Sequence, residues 1–234
     1  MSSSPEIELL HRGAIEVKGR MPGSSNVTLL AELRLGEATG LAIYKPGRGE
    51  RPLWDFPPGL YKREVAAYRL SEALGWGLVP PTVLRADGPY GAGSLQLFVD
   101  ADFEQHYFTL LERPEHRASL QRICALDLIA NNADRKSGHC LVDGDGRIWA
   151  IDNGLMFHVE PKLRTVCWDF AGEPVPADVL ATLRCLLEAG LPGPLVELLE
   201  PDERKALTAR SQALVRRGKF PVDRSGMRYP WPLV

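Results

Sequence analysis

The stretch from Asn131 to Gly154, NNADRKSGHCLVDGDGRIWAIDNG, constrains this chain more than any other. His139–Val142 and Arg147–Ile151 read as short strands, joined by Asp143-Gly144-Asp145-Gly146, a strong turn signal. A hairpin returns its ends to one place, so Asp134 just before it and Asp152 just after it share one mouth. Two carboxylates with a lysine and a histidine between them suit holding a metal–phosphate and activating a hydroxyl. The turn also hints at a calcium loop. Position twelve counted from Asp143 is Gly154, however, where that loop requires glutamate.

The chain before this stretch is strand-rich. Residues 1–12 are polar enough for a flexible arm, although Ile7, Leu9 and Leu10 could pack or begin a helix. Ala14–Val17 and Val27–Leu33 alternate as strands, and the tip between them carries Gly23, Ser24, Ser25 and Asn26. Amides and hydroxyls there could cover a phosphate. Taken alone the tip fits an ordinary loop better, because the spacing G-x-x-x-x-G-K-[ST] is absent. A third strand, Gly40–Pro46, puts Tyr44 and Ala42 on one face and Ile43 and Lys45 on the other. Lys45 then either borders a cleft or snorkels to water. Leu60–Leu74 has helical spacing, with Glu64 either solvated or paired with Lys45. Pro81–Leu84 and Ser94–Val99 complete five strands.

Past Val99 the pattern turns helical, at Phe103–Leu111, Arg117–Ala130, Ala177–Ala189 and Asp202–Arg217, with a shorter helical turn at 195–199. His158–Glu173 reads as an irregular loop. The last helix is acidic in its first turn and basic in its last, as its macrodipole favours. The basic tail from Arg216 to Arg228 reads as a solvated face. Strands followed by helices imply an α+β fold of two lobes with the ligand cleft between them. The expected division is an arm at 1–12, a β-rich lobe with one helix at 13–100, and a mainly helical lobe at 101–234.

Composition narrows the classes. A net charge of -2 gives no general drive toward nucleic acid. No apolar run reaches the length of a signal peptide core or a membrane span, which favours a cytoplasmic protein. Cys124, Cys140, Cys167 and Cys185 are scattered without CxxC spacing and read as reduced thiols.

In order, the chain offers a Gly/Ser hairpin, a strand-end lysine, a helix glutamate and a strand leading to a hinge. D-x-K-x-x-H and I-D-N-G follow. This order resembles the kinase-like fold, closest to the phosphatidylinositol 3-/4-kinase-related branch and its small bacterial members. That family's catalytic loop reads D-R-H-x-x-N and its metal strand ends in D-F-G. Here Asp134-Arg135-Lys136-Ser137-Gly138-His139 and Asp152-Asn153-Gly154 stand in those places. Asp-Arg matches the lipid-kinase branch, and the lysine two residues after the aspartate matches protein kinases. The aminoglycoside/choline kinase pattern needs His two residues before the aspartate, where this chain has Asn132.

The resemblance implies an ATP-dependent phosphotransferase using Mg or Mn and acting on a hydroxyl acceptor. It gives Lys45 the α/β-phosphates, Glu64 the fixing of that lysine, and Gly23, Ser24, Ser25 and Asn26 the phosphate cover. Leu97, Phe98 and Val99 border the adenine, Asp134 is the base, Lys136 neutralises the moving phosphoryl group, and Asp152 holds the metal. His139 stands where the family has a metal-binding asparagine, leaving Asn131, Asn132 and Asn153 as sources of the missing amide. The short loop after Asp152 offers only Lys162 and Arg164 to a phosphorylated headgroup, which argues against a lipid. The acceptor stays open among small molecules, lipid headgroups and proteins. His139 also keeps open a second function, a catalytically idle nucleotide-binding regulator.

Overall fold

In a computed structural model, which describes residues 4–24 and 26–233, a five-stranded antiparallel sheet leads into a helical half. Helix α1 (Pro5–Arg12) precedes strands β1 (Ala14–Arg20), β2 (Leu29–Leu35) and β3 (Ala38–Pro46). Helix α2 (Leu60–Ala73) is followed by β4 (Thr82–Arg85) and β5 (Gly93–Leu97), and the sheet order is β1-β2-β3-β5-β4. Then come α3 (Tyr107–Leu111), α4 (Arg117–Ala130), the hairpin β6 (Cys140–Val142) and β7 (Ile148–Ala150), α5 (Ala177–Ala189), α6 (Gly193–Val196) and α7 (Pro201–Arg217).

The sheet's two faces separate by the two-residue period of a strand. Leu29, Ala31, Leu33, Ala42, Tyr44, Val83 and Leu95 form one buried cluster with Leu9 and Leu10 of α1. The arm expected over residues 1–12 is therefore a packed helix from Pro5 onward. Ser4 accepts from Ile7 N at 3.4 Å as N-cap, proline opens the first turn, and Leu10 is fully buried. The β-rich half thus carries two helices where one was expected, because three apolar residues sufficed to cover the outer sheet face.

Helix α2 belongs to a different core. Ala66, Ala67, Tyr68 and Leu70 join Leu120, Ile123, Leu126, Leu183 and Leu207 of the helical half. Arg63 of α2 forms a buried ion pair with Glu203 of α7 and donates from Nε to the Met156 carbonyl at 3.0 Å. The expected helix at Phe103–Leu111 begins only at Tyr107. Asp102 diverts the preceding residues into a turn, its carbonyl accepting from Gln105 N and its Oδ1 from Glu104 N, each at 3.1 Å. The loop 158–173 contains one 3-10 turn, Cys167–Phe170. All four cysteines are free, and Asp143 spends its carboxylate on Asp145 N, Arg147 N and Trp149 Nε1 within its own hairpin.

Candidate functional site

Three residues far apart in sequence meet at the sheet's second face. Lys45 pairs with the Glu64 Oε1 of α2 and, at 2.9 Å, with Asp152 Oδ1. Glu64 has only 4% of its side chain exposed, and its other oxygen accepts from Asn153 N at 3.0 Å. One carboxylate thus grips both the lysine and the backbone beside Asp152. A Cβ at Gly154 would lie 3.3 Å from Glu64 Oε1, a tight contact to which that carboxylate would have to yield by a few tenths of an ångström. Asp152 sits at φ 55°, a left-handed conformation costing about 1 kcal/mol in an L-residue. Ile151 N to the His139 carbonyl (3.0 Å) and Asn153 N to Glu64 hold it on both sides.

The charges at this point reinforce one another. Lys45 holds the Asp152 carboxyl well below the usual carboxylate range, against the opposing pull of burial, and more than half of that side chain reaches solvent. Burial alone would lower Lys45, but the Asp152 and Glu64 carboxylates outweigh it and the ammonium is held above its ordinary value. Both groups are charged at neutral pH, an ion pair aimed at an open cleft.

The hairpin mouth brings Asp134 and Lys136 to the same cleft, with Lys136 Nζ 3.3 Å from Asp134 Oδ2. Burial raises the Asp134 carboxyl above its ordinary value, and Lys136 opposes that rise. Below them Arg135 is fully buried. Its Nε donates to Asp127 Oδ1 at 3.1 Å, NH1 to the Ile151 carbonyl and NH2 to Asn153 Oδ1, both at 2.6 Å. Asp127 of α4 also accepts from Asn132 Nδ2 and Thr165 Oγ1, each at 2.9 Å. The loop bearing Asp134 and the turn bearing Asp152 are therefore tied to one buried hub.

His139 lies beside Asp152, Nε2 to Oδ2 at 3.4 Å, while its Nδ1 is 2.9 Å from the Asp134 carbonyl. Burial pushes this imidazole down to about 4, so it is neutral at pH 7. Nδ1 faces both a donor, Lys136 N at 3.3 Å, and an acceptor, the Asp134 carbonyl; the tautomer that donates Nδ1–H to that carbonyl leaves the Nε2 lone pair facing Asp152. The missing amide does not come from the asparagines. Asn132 Oδ1 accepts from Asp134 N, Asn131 Oδ1 from Lys162 N and Asn153 Oδ1 from Arg135, and all three residues are buried. Among the described residues no group of three or more His, Cys, Asp or Glu converges on a metal site. The donor set fits a single divalent ion with one carboxylate and one imidazole, and it is poor for a second Mg²⁺.

The His139 environment has a consequence for metal-free protein. Its folded value lies below the ordinary 6.5, so the unfolded chain takes up the proton first. The stability this supplies is complete above pH 6.5 and is lost as pH falls toward 4, on the order of a few kcal/mol. His139→Asn should flatten the fall of Tm across that window; an unchanged slope in melts at stepped pH would contradict the burial.

The cleft above these groups has a volume of about 420 Å³. Gly23, Ser24 and Asn26 line it, whereas Ser25 lies outside the described residues. Ser24 Oγ donates to the Met21 carbonyl at 3.3 Å, and Asn26 Oδ1 accepts from Arg51 N at 2.8 Å, so part of this polar set maintains the tip itself. Leu97, Phe98 and Val99 form one wall, with Leu141 and Ile151 also lining the cleft. Leu97 N donates to the Pro81 carbonyl at 2.8 Å, but proline has no N–H to return, so the Leu97 carbonyl gains nothing from that neighbour. Phe98 N is spent on the Leu41 carbonyl at 3.0 Å. Lys162, expected as a headgroup anchor, is instead paired with Asp55 at 3.2 Å and only 14% exposed. Arg164 remains exposed. Gln96, Leu141 and Ile151 were missed by sequence reasoning; Gln96 carried a signal, a polar residue in an apolar strand on the face of Lys45.

A family model for phosphatidylinositol 3- and 4-kinase matches residues 67–184, a span that holds Asp134, His139 and Asp152 and begins after Lys45 and Glu64. Protein Rv2133c of Mycobacterium tuberculosis is 39% identical across 97% of this chain and 95% of its own length. Phosphatidylinositol 4-kinase gamma 4 of Oryza sativa subsp. japonica is 31% identical over 53% of this chain, a quarter (25%) of that protein. Among solved structures, the Helicobacter pylori proinflammatory kinase CtkA superposes with a TM-score of 0.53 at 12% identity, covering 90% of this chain and 94% of that one. The hydra Fam20 structure with sugar gives 0.57 at 14% identity, covering 93% and 90%. At those identities the likeness is one of fold, and the fold is kinase-like. No helix among the described residues is long and apolar enough to cross a membrane.

Proposed function

The chain belongs to the phosphatidylinositol 3- and 4-kinase family, and from that premise we propose that it transfers the γ-phosphoryl group of ATP to a hydroxyl acceptor. The observation that carries this reading is the placement of Lys45 between Glu64 and Asp152, opposite Asp134 across one cleft. Phosphoryl transfer asks a protein for positioning and charge neutralisation rather than covalent chemistry.

Each residue has a part suited to its surroundings. Lys45 is held charged and would take the α/β-phosphates, with Glu64 fixing its reach. The tip residues Gly23, Ser24 and Asn26 would close over the phosphates, and Leu97, Phe98 and Val99 would border the adenine. Asp134, whose carboxyl burial makes more basic than usual, would orient the acceptor hydroxyl and receive its proton. Lys136, 3.3 Å away, would neutralise charge on the moving group. Asp152 and His139 Nε2 would hold a divalent cation, Mg²⁺ or, given the imidazole, Mn²⁺. When bound, that ion neutralises the β- and γ-phosphate oxygens. With Lys162 committed to Asp55, Arg164 is left to meet an anionic acceptor, which favours a small or peptidic hydroxyl over a phosphorylated lipid headgroup.

His139 favours a second reading, a kinase-like regulator that holds nucleotide without turning it over. Both readings require nucleotide in the cleft. The test is the rise in Tm with ATP and Mg²⁺ or Mn²⁺, in wild type and Lys45→Met. Wild type should gain several degrees and the variant little; no gain in wild type with either metal would end both readings.

A further inference from the structure

One polar wall residue of the cleft has no part in the phosphate chemistry. Gln96 is buried, 6% exposed, and lies on the face of β5 that continues Ile43 and Lys45 of β3. It immediately precedes Leu97–Val99. Its Nε2 donates to Thr82 Oγ1 at 2.9 Å, directly across the β4–β5 pairing. Thr82 Oγ1 in turn lies 2.7 Å from the Pro80 carbonyl, a group that can only accept.

Proton counting then fixes the amide. A hydroxyl has one proton, and Thr82 spends it on Pro80. Its oxygen can face Gln96 only as an acceptor, so Gln96 must turn its NH₂ toward Thr82 and its Oε1 away. That Oε1 has no hydrogen-bond partner among the described residues and is not sealed from solvent, so it opens on the cleft that Gln96 lines. Beside it the Leu97 carbonyl also lacks a donor from Pro81. Two adjacent residues of this wall thus each carry an acceptor without a donor among the described residues.

We propose that Gln96, held by the Pro80–Thr82 relay, selects the base of the bound nucleotide, taking a purine with a 6-amino group and rejecting one with a 6-oxo group. The proposal rests on the nucleotide-binding reading above and adds to it the side chain that tells adenine from guanine. A 6-amino group has two protons for two acceptors. A 6-oxo group would meet lone pairs on both. To welcome it, the amide must turn over, and Thr82 must then withdraw its proton from the buried Pro80 carbonyl. Leaving that carbonyl bare sets a preference of roughly tenfold or more for ATP.

The test compares affinities for ATP, GTP and inorganic triphosphate on the full chain by calorimetry, in wild type, Gln96→Leu and Thr82→Val. Wild type should prefer ATP about tenfold or more. Gln96→Leu should shrink that ratio by weakening ATP. Thr82→Val, which frees the amide to turn, should shrink it by strengthening GTP. Triphosphate, which has no base, should bind all three proteins alike, showing that the fold and the phosphate site are intact. Equal binding of ATP and GTP by wild type, or a wild-type ratio in both variants, would overturn the role of Gln96 while leaving nucleotide binding in place. Binding of none of the three ligands by wild type would overturn the nucleotide reading itself.

Discussion

Arg135→Met is expected to be the most destabilising single change in the site, about 3–5 kcal/mol, the range for removing one partner of a buried charge pair. Arg135 and Asp127 have no exposed side-chain surface, and the guanidinium satisfies Asp127, the Ile151 carbonyl and Asn153 at once. Methionine fills similar volume but leaves the Asp127 carboxylate with Asn132 and Thr165 as its donors among the described residues. Urea unfolding checks the size of the loss. Arg135→Met combined with Asp127→Leu should recover part of it, because the unpaired charge goes too. A double variant as unstable as the single would show that shape, rather than charge, sets the cost.

Asp134→Asn should separate chemistry from binding. The amide keeps size and polarity but cannot receive a proton, so turnover should fall by about 10²–10⁴-fold, the usual contribution of a positioned base. ATP affinity should change little, because Lys45 and Asp152 remain paired. Rates of ATP consumption set beside ATP-induced thermal shifts give both quantities. Wild type that binds ATP but shows no turnover above Asp134→Asn would favour the regulator over the phosphotransferase. Turnover that survives Asp134→Asn would remove Asp134 from the role of base.

What could be foreseen depended on how local each signal was. The hairpin mouth was legible because turn residues and strand residues sit within one short stretch, so Asp134 and Asp152 could be placed together from spacing alone. Lys45 and Glu64 were legible through order and face, and alternation on β3 put Lys45 opposite Tyr44 as found. The pairings of α2 were not. Arg63 meets Glu203 across 140 positions, and no periodicity in either helix announces it. Asn131, Asn132 and Asn153 looked like spare amides because sequence does not show that Lys162, Asp134 and Arg135 already use their oxygens. Helix α1 leaves a weak trace in sequence because eight residues are too few for a strong period, although its Ser-Pro start is a capping signal.

Helix α2 links the two halves. It shares a buried cluster with α4, α5 and α7 and is tied to α7 through Arg63 and Glu203, and it also packs against β4 and β5 of the sheet. Lys45 of the sheet therefore meets two carboxylates of different anchorage, Glu64 on the helix that touches both halves and Asp152 beside the hairpin of the helical half. A change in the width of the cleft must change the separation of Lys45 from Asp152, so the lysine that would meet the phosphates also registers how far the cleft stands open.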